Sequence, residues 1–446
     1  MRRLELIRSI AVALFLVSLQ SVQFSKGAPA DRPPNIVLIV SDDHAWTDYS
    51  FMGHPKIKTP RIDRLAAEGL TFRRGYVPSS LCSPSLASIL TGLYPHQYGW
   101  TSNDPPLPPG KTSAGAANKI PAFRALRKEM IATLAKSPTI PRLLADRGYV
   151  SFQTGKWWGG DFRTGGFTEG MTHADPDLGG RHGDDGLKIG RNTMTPMFEF
   201  IDRAKAADKP FFVWYAPMMP HQPHTPPERL LAKYKDQAPT LEVAKYWAMI
   251  EWFDETCGQL LDEIDKKGVA ENPIVVYLAD NGWIQDPEHD RYAPKSKQSQ
   301  YDGGLRTPII VKWPAKIPPR SSDRLVSSID LAPTLLKAAG LPPQANMTGH
   351  DLLDDNALGS RPALYGEIFT HNAVDIRVPA SSLRYRWTVN GNWKLIIPDD
   401  RNTPDGKIEL YQLAEDPSEL RNLADREPGK VKELEQNLDG WWNPRG

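Results

Sequence analysis

Asn35-Ile36-Val37-Leu38-Ile39-Val40-Ser41-Asp42-Asp43 sets five consecutive aliphatic residues, four of them β-branched, ahead of three polar ones. A strand with one wet face alternates apolar and polar residues. This one does not, so the run predicts a strand buried on both faces that ends where the polar residues begin. The same pattern returns at Phe211–Tyr215, Ile274–Leu278 and Pro308–Lys312. Helical spacing of apolar residues lies between these runs. It covers Thr59–Gly69, residues 242–267 with Gly268 as stop, and Asp330–Gly340 with Asp330 as N-cap. Buried strands alternating with helices predict an α/β fold: a large, mostly parallel or mixed sheet flanked by helices. In such sheets ligands collect beyond the carboxyl ends of the strands. Asp42-Asp43 and Asp280-Asn281 both stand at such ends.

The chain has 446 residues, more than one core usually serves, and its texture changes after about Gly340. Segments 383–397 and 408–413 read as strands around Asn390-Gly391-Asn392, and a charged helix follows from Pro428 to Leu438. We therefore expect a catalytic domain over 31–345 and a small α+β C-terminal subdomain over 346–446. Pro105–Ala117, rich in Pro, Gly and Ser, reads as a surface loop. At the front, Arg2, Arg3 and Arg8 precede the apolar run Ile10–Leu19 and Ala28-Pro29-Ala30, the pattern of a secretory signal peptide over 1–30. Its removal leaves a net charge of −2, and no later segment has the length and apolarity of a transmembrane helix. The expectation is an exported protein, periplasmic or secreted. Near-balanced charge gives no reason to expect nucleic acid as partner. Two cysteines exclude a disulfide framework and a four-thiolate zinc site.

Chemistry then falls to oxygen and nitrogen groups. Within a strand adjacent side chains face opposite ways, but at a strand end Asp42 and Asp43 can converge on one cation. Asp280-Asn281-Gly282 repeats the arrangement. Either pair alone also fits a turn or a helix cap. Together, carboxylates and an amide oxygen suit Ca²⁺ or Mg²⁺ far better than a soft metal. Cys82-Ser83-Pro84-Ser85-Leu86-Ala87-Ser88-Ile89-Leu90-Thr91-Gly92 reads as a helix with Cys82 at its N-terminus, where the dipole predicts a lowered thiol pKa. The competing reading is a buried structural cysteine. Cys257, inside the long helix, reads as inert core.

Cys82-Ser83-Pro84-Ser85 with Thr91-Gly92 resembles the signature of the sulfatase family, in the alkaline phosphatase-like superfamily. The resemblance continues through Asp42-Asp43, Thr154-Gly155-Lys156-Trp157, Pro220-His221-Gln222-Pro223, Asp280-Asn281-Gly282, and Lys297 ahead of Tyr301–Arg306. It ends at Leu410–Leu413, Asp416-Pro417 and Asn422–Ala424, so it spans the mature chain in order. It implies a sulfuric ester hydrolase whose Cys82 is converted by a formylglycine-generating maturation enzyme to 3-oxoalanine (formylglycine). It also implies a metal site of Asp42, Asp43, residue 82, Asp280 and Asn281, with Lys156, His221 and Lys297 beside it. The lysines would neutralise sulfuryl oxygens, and His221 would protonate the leaving oxygen. The hydrated aldehyde would be the nucleophile, and its second hydroxyl would let sulfate leave by C–O cleavage. A phosphoric or phosphonic ester hydrolase, or a glycan-binding relative with unmatured Cys82, are the alternatives within this resemblance.

Two positions depart from the pattern. Leu86 stands where the signature has Arg, and Trp158 where Gly-Lys-Trp is followed by His. The segment Gly165–Arg191 carries His173, Arg181 and His182, any of which could enter the site in compensation. A solvent-facing Gly-rich loop is the other reading of that segment. His224 follows His221 in the same Pro-rich loop and reads equally as pocket lining or turn packing. The substrate expected is a sulfated small molecule or carbohydrate. Among the 13 Trp, the sequence reads Trp157, Trp158 and Trp214 as packing at least as readily as sugar platforms.

Overall fold

Strand β1 (Asn35–Ser41) runs through mid-sheet in the computed structural model, which describes residues 32–178, 180–269 and 272–445. The leader expected over 1–30 lies outside the described residues. Ile36, Leu38 and Val40 enter one apolar cluster, while Val37 and Ile39 enter another. Each face of β1 thus has its own core, which is why the run contains no alternation. Burial of each aliphatic side chain contributes about 1.5–3 kcal/mol.

The other strands of this sheet are β2 (Leu70–Tyr76), β3 (Val150–Gly155), β4 (Glu169–Gly170), β5 (Phe211–Ala216), β6 (Pro273–Ala279), β7 (Arg306–Lys312) and β8 (Arg320–Ser327). Their order is β4-β3-β5-β1-β6-β7-β2-β8. Only β7 runs against the rest, pairing antiparallel with β6 and β2. The sheet is therefore mixed and mostly parallel. It is covered by α1 (Pro60–Glu68), α2 (Cys82–Thr91), α3 (Pro121–Ala135), α4 (Thr195–Ala206), α5 (Leu241–Lys266) and α6 (Leu331–Ala338). Helices α2, α3 and α6 pack on one face, and α1, α4 and α5 on the other.

A second sheet, β12-β11-β10-β9, is antiparallel and comprises β9 (Leu364–Phe369), β10 (Leu383–Asn390), β11 (Trp393–Pro398) and β12 (Glu409–Gln412). One face takes Leu434 and Leu438 of α7 (Pro428–Trp441); the other joins Trp387 and Ile396 to Tyr76, Val77 and Leu305. From Pro33 onward both sheets belong to one compact unit. No helix among the described residues is long and apolar enough to cross a membrane.

The aliphatic pattern does not reveal β2, β8 or α3. Charged Arg73-Arg74 interrupts β2, and β8 is an edge strand whose outer half is exposed, so neither carries an aliphatic run. Asp330 does not cap α6 with its side chain; its carboxylate accepts from Ser327 N and His350 N and pairs with Arg361.

Candidate active site

β1 and β6 are neighbours in register, with Ser41 opposite Ala279, so Asp42-Asp43 and Asp280-Asn281 leave the sheet side by side. The Asp43 backbone turns left-handed (φ 63°), and its N–H donates to Asp280 Oδ1 at 3.1 Å. That conformation costs a non-glycine residue about 1 kcal/mol. The turn points its carboxylate at Asn281 Nδ2 (2.7 Å) and Lys297 Nζ (2.7 Å). Gly282 is required because a Cβ there would meet the Gly303 carbonyl at 2.1 Å.

Lys156 follows β3, two strands from β1, and its Nζ donates to Asp42 Oδ1 at 2.7 Å and lies 3.9 Å from Asp280 Oδ2. Gly155 makes this approach feasible: its φ is +76°, and a Cβ would meet Ala216 O at 1.9 Å. His221 enters from the loop after β5, with Nδ1 donating to Gln222 O at 2.6 Å and Nε2 3.4 Å from Asp43 Oδ2. Nε2 is thus the nitrogen left to exchange a proton. Asp42, Asp43, Cys82 and His221 offer atoms that all lie within 4.8 Å of one another.

The electrostatics are those of a crowded, dry site. Burial opposes ionisation of Asp43, yet Lys297, His221 and Lys156 together hold its carboxyl well below the usual range. Burial pushes Asp280 far up. Burial pulls His221 down to about 4, although Asp42 and Asp43 oppose it. The lowered pKa expected for Cys82 is corrected. Cys82 does begin α2, but it is 1% exposed, and desolvation pushes the thiol up to about 11 although Lys156 and Lys297 pull it down. Desolvation of a thiolate outweighs one helix terminus.

At these strand ends, three buried carboxylate or amide oxygens make no hydrogen bond among the described residues: Asp42 Oδ2, Asp280 Oδ2 and Asn281 Oδ1. Orphaned acceptors are costly in a protein interior. Three carboxylates also face only two ammonium groups, so without a cation the excess charge falls to a proton on Asp280, whose acidity burial lowers. A hard divalent cation would resolve both conditions, and these oxygens fit one.

The structure divides the segment that carries the other histidines. His173 is exposed and pairs with Asp161, away from the site. His182 O accepts from Trp157 N at 2.9 Å, and its ring stands edge-on to Trp158 with centroids 5.3 Å apart. Burial and then the Arg181 charge pull His182 down to about 2. The Arg181 guanidinium lies 4.6 Å from the Trp158 ring centroid and pairs with buried Asp104. His224 is packing: it meets Tyr246 and Trp283, with Asp290 at 3.4 Å. Leu86, Trp157, Trp158 and Trp214 are buried, and Cys257 lies on the buried face of α5.

Sequence reasoning passes over Asn103, Asp104, Arg127 and His371. Asn103 Oδ1 accepts from Ser83 N at 2.9 Å, directly behind Cys82, and its Nδ2 meets His371 Nε2 at 3.4 Å. Arg127 pairs with Asp104. The one sequence signal is the polar Thr101–Asp104 run, which sits beside a Pro-rich loop and resembles any other turn.

The sulfatase family model matches residues 34–341, and a second, described as N-sulphoglucosamine sulphohydrolase, C-terminal, matches residues 288–441. The chain is 30% identical over 410 residues to N-acetylgalactosamine-6-sulfatase of Canis lupus familiaris, covering 82% of this chain and 74% of that one. It is 25% identical over 532 residues to N-acetylgalactosamine-6-O-sulfatase of Bacteroides thetaiotaomicron, covering 96% of each. A solved structure in complex with its substrate, D-glucosamine-2-N,6-O-disulfate, matches with TM-score 0.70 over 93% of this chain and 98% of that one. At 20% identity that likeness concerns the fold. With strand-end carboxylates, a cysteine opening a helix and two lysines converging in one site, the chain belongs to the sulfatase family, in the alkaline phosphatase-like superfamily, and is a sulfuric ester hydrolase.

Proposed function

We propose that this sulfatase is exported and hydrolyses sulfate esters of carbohydrates, using a formylglycine made from Cys82 and a bound divalent cation, Ca²⁺ in preference to Mg²⁺. The observation that carries the reading is the set of orphaned oxygens on Asp42, Asp280 and Asn281 beside the Cys82 sulfur. Asp42, Asp43, Asp280 and Asn281, with residue 82, would hold the cation, which when bound supplies Lewis-acid charge at the reacting end of the substrate. The aldehyde form of residue 82 supplies an oxygen nucleophile that a thiol cannot, and a formylglycine-generating enzyme would install it. The raised thiol pKa supports this division, since an unmodified Cys82 is protonated at neutral pH.

The chain's own residues do the rest. Lys156 and Lys297, both buried, present fixed positive charge to the sulfuryl oxygens without reorganisation. With Nδ1–H held by Gln222 O, Nε2 of His221 faces the leaving oxygen; to donate there it must first take up a proton, which the negative charge of the bound ester favours against the burial that holds the ring near 4. Carbohydrate as substrate class is supported by the relatives, which are named for N-acetylgalactosamine sulfates, and by the neighbour bound to a disulfated glucosamine. Residues 31–345 would form the catalytic domain and 346–446 the subdomain that closes one side of it.

Mass spectrometry of the Cys82 peptide, from protein coexpressed with a maturation enzyme, tests the nucleophile. Formylglycine is expected, and a persistent thiol would instead favour a glycan-binding role. Matured protein should then cleave aryl and galactosamine-6-sulfates; preference for aryl phosphate or phosphonate would overturn the reaction assignment.

A further inference from the structure

The two departures from the sulfatase pattern leave the sulfuryl site short of polar side chains. Leu86 is apolar and buried one turn along α2 from Cys82, and Trp158 is an aromatic wall. The two lysines are each engaged by a carboxylate. A third cation stands at the same end of the site. Arg181 lies over the Trp158 ring at 4.6 Å and forms a fork with Asp104, Nε to Oδ1 at 3.0 Å and Nη2 to Oδ2 at 2.6 Å. Asp104 is fully buried and is shared with Arg127, so this group carries one net positive charge in a desolvated setting. It adjoins Asn103, whose side chain accepts from Ser83 N beside the reacting residue.

We propose that Arg181 is a substrate-binding residue of this sulfatase, contacting a sulfuryl oxygen of the ester through Nη1 and replacing the cation that Leu86 does not provide. The inference rests on the sulfatase reading above. Both contacts to Asp104 use Nε and Nη2, so Nη1 is the edge they leave for a ligand. The Arg181 side chain is 25% exposed, whereas Asp104 is fully buried. Burial works against the Arg181 charge, and a negative group at position 82 would favour it. The Trp157 N–H bond to His182 O ties the loop carrying Arg181 to the Lys156 segment, so cation and lysine are positioned together. Trp158 then acts as the stacking surface that orients the guanidinium.

Arg181→Ala and Arg181→Lys in the matured full chain test this with 4-nitrophenyl sulfate, whose only negative charge at neutral pH is the ester itself. We expect kcat/KM to fall about 100-fold for Ala, with Lys recovering only part, because an ammonium cannot keep both the fork and the substrate contact. Inhibition by inorganic sulfate should weaken at least about tenfold, a 1.4 kcal/mol change. Asp104 keeps Arg127 in both variants, and unchanged circular dichroism and Tm would verify the fold. Should Ala fail that check, Lys carries the comparison. Activity and sulfate inhibition within about threefold of wild type would overturn the proposal. So would a loss seen only on multiply charged glycans. If wild-type protein cleaves no sulfate ester, the sulfatase reading fails by itself. Calorimetric binding of inorganic sulfate to unmatured wild-type and Arg181→Ala chains then still decides whether Arg181 holds the anion.

Discussion

Two buried clusters in this protein combine lysine with an excess of carboxylate, and they satisfy those carboxylates to different degrees. At the junction of the two sheets, Lys394 Nζ lies 2.8 Å from Asp302 Oδ1 and 2.8 Å from Glu419 Oε1. Tyr76 donates to Asp302 Oδ2 at 2.9 Å, and Asp302 N donates to Glu419 Oε2 at 2.6 Å. Three of the four carboxylate oxygens there accept a hydrogen bond, and the fourth, Glu419 Oε1, is ion-paired with Lys394 without one. Burial pushes Glu419 up to about 7, so a proton neutralises the excess charge. At the active site Asp42 Oδ2, Asp280 Oδ2 and Asn281 Oδ1 have no partner among the described residues. Two clusters of similar composition thus differ in degree: at the sheet junction every carboxylate oxygen is hydrogen-bonded or in close ion pairing, whereas the active site leaves three oxygens unbonded in an arrangement that fits a ligand.

The largest test of that contrast is the cation. Dialysis against EGTA, or Asp280→Ala, should lower turnover on the order of 10³-fold, since several kcal/mol of charge stabilisation is lost. Added Ca²⁺ should restore the dialysed wild type and raise its Tm, but not that of Asp280→Ala. Lys394→Met should act on the fold instead. It leaves two carboxylates buried without their cation, at a cost of about 3–5 kcal/mol in urea unfolding that Ca²⁺ does not restore.

A smaller effect follows from Glu419. Its folded pKa of about 7 exceeds the ordinary 4.5. Between those pH values the folded protein keeps a proton that the unfolded chain has lost, so this contribution to stability declines as pH rises from about 4.5 to about 7. Glu419→Gln should remove that part of the slope, read as Tm across pH 5 to 8. Smallest of all, His173→Ala should leave turnover within about twofold of wild type, because its exposed pair with Asp161 is a surface contact. A large loss there would show that the segment around His173 moves onto the substrate.

Much of the sheet is legible in the amino-acid sequence. Buried strands are written as aliphatic runs, and β1, β5, β6 and β7 are readable from them. The elements that escape such a reading lack that signature: β8 is a polar edge strand, and β2 is broken by Arg73-Arg74. Site residues at strand ends are readable because the mostly parallel sheet delivers such ends to one rim. Asn103, Asp104 and Arg127 are not, since a polar loop, or one arginine on a helix, reads the same in sequence whether it is solvated or joined in a buried ion pair.

Sequence alone therefore determined the fold class, the order of the chemistry-bearing segments and the family, because these depend on local pattern and on motifs kept in register along the chain. The tertiary structure decided which of these groups are satisfied. Lys156 meets Asp42 across 114 positions, and Lys297 meets Asp43 across 254. It also reversed the acidity expected of Cys82, and it separated exposed His173 from Arg181 at the site. Burial and charge are sums over neighbours distant in sequence, and only the folded chain brings those neighbours together.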